Sequence, residues 1–178
     1  MNWLEKSKIP VGKWIATGFD WLTDTFGDLF DTIDDILSNG IDGFLWLLQA
    51  PPALVIVALF AALTYYLQRS WPRVVLVTLC FLYVLNQGYW EETTESLTLI
   101  FFAVLFCMGV GVPIGIYAAH RPRFYRTILP VLDMMQTIPT FVYLIPMIVL
   151  FGIGMVPGLV ATFIFVLPAP IRLTQLGV

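Results

Sequence analysis

Two kinds of apolar pattern divide this chain near Pro51-Pro52. Before that point the apolar residues are periodic. Ile15, Phe19, Leu22, Phe26, Leu29, Ile33 and Ile36 alternate steps of four and three, which stacks them on one helix face. Asp20, Asp24, Asp28, Asp31, Asp34 and Asp35 occupy much of the remaining surface. The spacing predicts an acidic amphipathic helix from Trp14. Thr17, Gly18, Thr23 and Gly27 weaken it, and Ser38-Asn39-Gly40 reads as its stop. A short apolar piece, 44–48, follows. Residues 1–13, with Pro10 and Gly12 as breakers, are expected to be loose. The helix has two open placements. One is the plane of a membrane interface, although interfacial helices usually carry a basic polar face. The other is against the rest of the protein or a partner.

After Pro52 the apolar residues run all round the helix, and a membrane crossing needs about 20 of them. Five spans are expected. The first, 53–67, closes on Tyr65 and Tyr66 as an interfacial belt. The second runs from 74 to about 87 and the third covers 96–119. The fourth lies within 129–151, and the fifth runs from about 159 to 167, where Pro168 and Pro170 end it. The second half of the third span carries Gly109, Gly111, Pro113 and Gly115. Small residues there let another helix approach closely.

Composition agrees with this pattern. Of 178 residues, 59% are hydrophobic and 12% charged, against about half and a quarter in soluble domains. The chain is expected to be an all-α, polytopic membrane protein. Residues 1–50 form an outer tail with the amphipathic helix, and 51–178 form the transmembrane part. A net charge of −3 makes nucleic acid a poor partner. No cleavable signal peptide is expected, because MNWLEKSKIPVGKW has basic charge without an apolar core behind it. Cys80 and Cys107 sit singly inside apolar runs and suggest neither a metal site nor a disulfide.

Charge sets the orientation. Arg69 and Arg73, then Arg121, Arg123 and Arg126, and finally Arg172 fall in alternate loops, so they share one side. Glu91, Glu92, Glu95 and the six aspartates of the first helix fall on the other. The positive-inside rule makes the arginine side cytoplasmic and the N-terminus periplasmic. Lys6, Lys8 and Lys13 run against this, at a distance from the first span where the rule weakens.

The stretch 131–158 carries the candidate chemistry. It is apolar enough to cross, yet holds Asp133, Gln136, Thr137 and Thr140 on its first turns and Pro139, Pro146 and Pro157 along its length. Backbone breaks in a bilayer are tolerated only where protein or a water-filled cavity covers them. A wall of a transport pathway follows, with Asp133, Gln136, Thr137, Pro139, Thr140 and Tyr143 as its candidate residues. Asp133 is the one acid on the arginine side, and charge within a membrane marks function by default. An ion pair to Arg126 or Arg123, or a helix cap near Leu132, would equally account for it. Gln136, Thr137 and Thr140 either line a polar path or bond neighbouring helices. Phe141 and Tyr143 either meet a cation with their ring faces or belong to an aromatic belt. No nucleotide-binding glycine loop, catalytic constellation or metal-ligand spacing is present, so neither enzymatic activity nor a cofactor is expected.

The residues LDMMQTIPTFVYLIPMIVLFGIG, with LPAPIRLTQLGV after them, resemble the permease subunits of binding-protein-dependent ABC importers for quaternary ammonium compounds: glycine betaine, proline betaine and choline. The resemblance extends back through Gly109–Gly115 and into the acidic N-terminal region, which inclines it towards the choline-type members. It implies the N-terminal part of a type I importer permease, with an outside N-terminus, in a bacterial inner membrane. It also implies a periplasmic substrate-binding protein, two cytoplasmic ATPase subunits that power alternating access, and a second permease copy. In such permeases a coupling loop follows the span that ends here with Ile171 to Gly177, so the chain is expected to be truncated before that loop. Two other classes stay open: a fragment of an ion-coupled secondary transporter, which also places broken helices at the midplane, and a non-transporting membrane interaction protein whose working part is the acidic helix.

Overall fold

The computed structural model describes residues 11–178, and every regular element among them is an α-helix. They are α1 (Val11–Gln49), α2 (Ala53–Gln68), α3 (Trp71–Gln87), α4 (Trp90–His120), α5 (Pro122–Thr137), α6 (Thr140–Phe151), α7 (Met155–Val166) and α8 (Pro168–Gly177). The looseness expected for residues 1–13 falls, for its first ten residues, outside the described residues. Gly12 lies inside α1.

The acidic stretch and the apolar piece 44–48 form one continuous helix, so the stop at Ser38-Asn39-Gly40 does not occur. The Asn39 side-chain amide donates to the Asp35 carbonyl at 2.6 Å, staying within the helix rather than turning the chain. At Gly40, the Phe102 ring would lie 3.6 Å from an added Cβ, so tertiary packing offsets the weak helix propensity of glycine. The packing face is also rotated from the expected one. Ile41 and Leu48 are buried and Phe30, Ile33 and Leu37 half-buried, while Phe26, Leu29 and Ile36 are exposed. From Phe30 onwards this helix packs on the bundle, one of the two placements left open.

Four elements meet in the core. Ile41 of α1, Ala103 of α4, and Val156 and Leu159 of α7 are buried together, with Phe102, Phe106 and Phe151 of α6 against them. Phe44 stacks on Phe101 with ring centroids 4.5 Å apart, and Phe30 meets Phe151 edge-on at 5.5 Å. One side of α4 is a seam of Thr94, Thr98, Ala103, Cys107, Gly111, Gly115 and Ala118, all buried. An added Cβ at Gly111 would lie 2.7 Å from Pro170 Cγ, and one at Gly115 would lie 2.6 Å from Thr174 Cβ and 2.8 Å from the Ile171 carbonyl oxygen. Close helix approach therefore occurs at two of the three expected glycines, with α8 as the partner. Gly109 faces open space.

The five expected spans fall in order on α2, α3, α4, α5 with α6, and α7 with α8, but among the described residues two helices, or up to four spans if each bent pair counts as one, are long and apolar enough to cross. By length and composition, Trp90–His120 and Met155–Gly177 are each long and apolar enough to cross a membrane alone. The fourth is not one helix: α5 and α6 meet at 92°. The fifth does not end at Pro168 and Pro170. Leu167 keeps right-handed helical angles and its N–H donates to the Phe163 carbonyl at 2.9 Å, so the chain stays helical to Gly177. Both prolines sit in the first turn of α8, where an N–H is not needed.

A bent helix pair as the candidate site

The bend begins with proline chemistry. Pro139 forces the residue before it out of the helical region, and Ile138 is extended at φ −78° and ψ 130°. Pro139 itself has φ −56° and ψ 138°, and α6 restarts at Thr140. Proline also lacks an N–H, so the Met135 carbonyl, four residues earlier, loses its helical donor. The Tyr143 hydroxyl donates to that oxygen at 3.1 Å. This bond closes the inside of the bend from one turn into α6.

The two arms are fixed separately. Asp133 of α5 accepts a hydrogen bond from Arg172 of α8 at 2.6 Å. This corrects the expectation of Arg126 or Arg123. Those residues lie on the first turns of α5 itself, whereas the 92° bend lays α5 across the bundle towards α8. The Asp133 side chain is 57% exposed and that of Arg172 29%, so water screens the pair and its net contribution is modest. Arg172 Nε is nevertheless buried without a partner among the described residues. The α6 arm is held by α7 and by the Phe30–Phe151 contact with α1.

The remaining candidates are placed plainly. Gln136, Thr137 and Pro139 are exposed, while Thr140 and Tyr143 are half-buried. Thr137 Oγ1 donates back to the Met134 carbonyl at 3.1 Å. The Tyr143 hydroxyl is engaged with backbone, a role absent from both readings of that residue, while Phe141 is exposed. Asp133, Gln136 and Thr137 share α5 and Thr140 opens α6, so they flank the bend along the chain, with Asp133 turned to Arg172 and Thr137 to its own helix backbone.

Sequence reasoning missed Arg172. The signal was present: Arg172 is the only basic residue after Arg126, as Asp133 is the only acid after Glu95. It also missed the polar contact at the other end of the bundle, where the Gln49 amide donates to Thr94 Oγ1 at 2.8 Å. Two recesses between α1 and its neighbours have apolar linings, with Phe44, Phe60 and Leu105 in one and Ile33, Phe106 and Phe163 in another, while a third is lined by Asp42, Trp46, Gln49 and Glu95. Among the described residues, no three His, Cys, Asp or Glu side chains converge to hold a metal ion.

Residues 111–178 match the family described as binding-protein-dependent transport system inner membrane component. Over 97% of its length the chain is 41% identical to the glycine betaine/proline betaine transport system permease protein ProW of Escherichia coli, covering 49% of that protein. Over nearly its whole length the chain is thus similar to permeases of such transport systems. The chain is also 41% identical over 96% of its length to the glycine betaine transport system permease protein OpuAB of Bacillus subtilis, covering 60% of it. It is 37% identical, again over 96%, to the glycine betaine/carnitine transport permease protein GbuB of Listeria monocytogenes, covering 61%. The chain thus spans about half to three fifths of the length of these relatives. They are transport permeases and not enzymes, and the matched family is described as an inner membrane component. The family match begins at Gly111, the first glycine of the α4–α8 contact, and contains the whole bent pair.

Proposed function

We propose that this permease lines part of the passage for a quaternary ammonium compound such as glycine betaine, and that the bend between α5 and α6 forms one corner of that passage. The observation that carries the substrate class is the 41% identity over 97% of the chain with a glycine betaine/proline betaine permease. The proposed pathway residues are Asp133, Gln136, Thr137, Pro139, Thr140 and Tyr143. Pro139 and Tyr143 set the corner, and Asp133, Gln136, Thr137 and Thr140 supply its polar surface. A trimethylammonium group has no N–H and is met by carboxylates and ring faces, while a betaine carboxylate is met by hydroxyl and guanidinium donors. The Asp133–Arg172 pair offers both signs, already mutually compensated. Weak binding of a zwitterion suits passage, which requires release as well as entry.

The proposed partners are cytoplasmic ATPase subunits that supply the energy, a periplasmic substrate-binding protein, a second copy of the permease to complete the passage, and surrounding lipid. The six arginines, clustered where alternate expected spans end, support a cytoplasmic corner and a periplasmic N-terminus. Residues 1–50 are proposed as the outer tail and 51–178 as the transmembrane domain.

Uptake of labelled glycine betaine and choline by cells holding the complete importer tests this reading. Uptake is expected to depend on ATP, and Asp133→Asn and Thr140→Ala are expected to slow it several-fold at normal membrane abundance. Uptake that ignores ATP depletion but collapses with the ion gradient would overturn the importer reading. Unchanged transport in both variants would remove the corner from the pathway.

A further inference from the structure

The turn from α4 into α5 carries chemistry that the passage does not use. Within six residues it presents Arg121, Arg123 and Arg126, all exposed. They surround a recess of about 670 Å³ whose other lining residues are Tyr117, Pro122 and Phe124. The Tyr117 and Phe124 rings meet edge-on at 4.9 Å and fix one wall. Among the described residues none of these three guanidiniums has a side-chain acceptor; the one ion pair there uses Arg172, and Arg73 is held by Gln68. Like charges have thus been brought together around a concave, partly polar space with no carboxylate to compensate them. The recess opens at the end of a span. Val110, Pro113 and Tyr117, at steps of three and four along α4, are exposed on the same side and lead directly to it.

From this we propose that the recess binds the phosphodiester headgroup of an anionic phospholipid, with an acyl chain lying along Val110 and Pro113. Guanidiniums match phosphate oxygens with paired donors, and basic recesses beside membrane helices on the cytoplasmic side hold such headgroups. The apolar stripe continuous with the recess favours a lipid over a free anion, which has no use for it. A protein carboxylate surface would equally have no use for that stripe.

The test uses the chain reconstituted in vesicles of phosphatidylcholine and phosphatidylglycerol, with a spin-labelled form of each lipid. The motionally restricted fraction of the spectrum reads preference for one lipid over the other. Wild type is expected to favour phosphatidylglycerol several-fold, and Arg121→Gln/Arg123→Gln/Arg126→Gln is expected to lose that preference. Arg69→Gln/Arg73→Gln, in the other basic turn, should keep it. Circular dichroism identifies variants that retain their helices, and Arg121→Lys/Arg123→Lys/Arg126→Lys should retain part of the preference. Equal preference in wild type and the Gln triple variant overturns the proposal, as does equal loss in the Arg69/Arg73 control, which would indicate general surface charge. Displacement of the lipid by inorganic phosphate, beyond that caused by chloride at the same ionic strength, would assign the recess to a free anion. Displacement by added ATPase subunit would assign it to an acidic protein surface.

Discussion

Pro139 removes one backbone donor and Tyr143 replaces it from the next helix. A backbone carbonyl left unpaired away from water is costly, so one hydroxyl makes a sharp corner tolerable inside an apolar layer. Tyr143→Phe keeps the ring and deletes that donor. It is expected to lower stability by about 1 kcal/mol, read as a lower unfolding midpoint in detergent, while Phe141→Tyr at an exposed position leaves the midpoint unchanged. An unaltered midpoint in Tyr143→Phe would mean that the Met135 carbonyl finds another donor. Gly115 illustrates the opposite constraint. Any side chain there meets the Ile171 carbonyl oxygen at 2.8 Å, a backbone atom that cannot swing aside. Both residues act through what they leave room for, in one case a hydrogen bond and in the other a helix.

The helices were legible from periodicity and apolar length, as were the breaks at Pro51-Pro52, after Gln68 and at Gly88, but not every stop signal is a break. Ser38-Asn39-Gly40 carries strong local stop chemistry and stays helical, because Phe102 and the side-chain bond of Asn39 hold it. Pro139 was marked as a break within one span and proves a right-angled joint, whereas Pro146, marked alike, stays inside α6. Local propensity is a weak prior that tertiary packing overrides, and only the packed partners decide which break survives. The candidate residues were visible because polar groups are rare in an apolar run. The Asp133–Arg172 pairing was hidden because its partners lie 39 positions apart in sequence. That pair joins α5 to α8, and its strength is an element-scale question. A double-mutant cycle of Asp133→Asn and Arg172→Gln on unfolding free energy is expected to give a coupling below about 1 kcal/mol, given the exposure of Asp133. A much larger value would show that the buried Arg172 Nε also depends on the pairing.

At the scale of the molecule, the helices do not contribute equally. α4 is the axis: α8 lies in its small-residue seam, and α1 and α7 share its core. The α2–α3 hairpin is bound chiefly to itself, through stacked Phe60 and Phe81, with limited contact to α1 and α4. Segments with few buried contacts open at lower free energy. Hydrogen exchange in micelles is therefore expected to be faster in α2 and α3 than in α4 and α7, and equal protection throughout would show a single cooperative unit. The joint at Pro139 also has a mechanical consequence. With α6 anchored to α7 and α1, the 16 residues of α5, Pro130 among them, form an arm about 24 Å long. Its joint with α6 is the proline, buried Leu132 and the ion pair to α8 hold it to the bundle, and its far end, joined to α4 through Arg121 and packed there by Phe124 on Tyr117, carries the arginine cluster. A tilt of roughly 10° about the pivot would carry that end about 4 Å, by the length of a helix of this size. By the same geometry, one change of angle at the joint is a few ångströms at the arginine cluster and far less at Gln136 and Thr137 beside the proline.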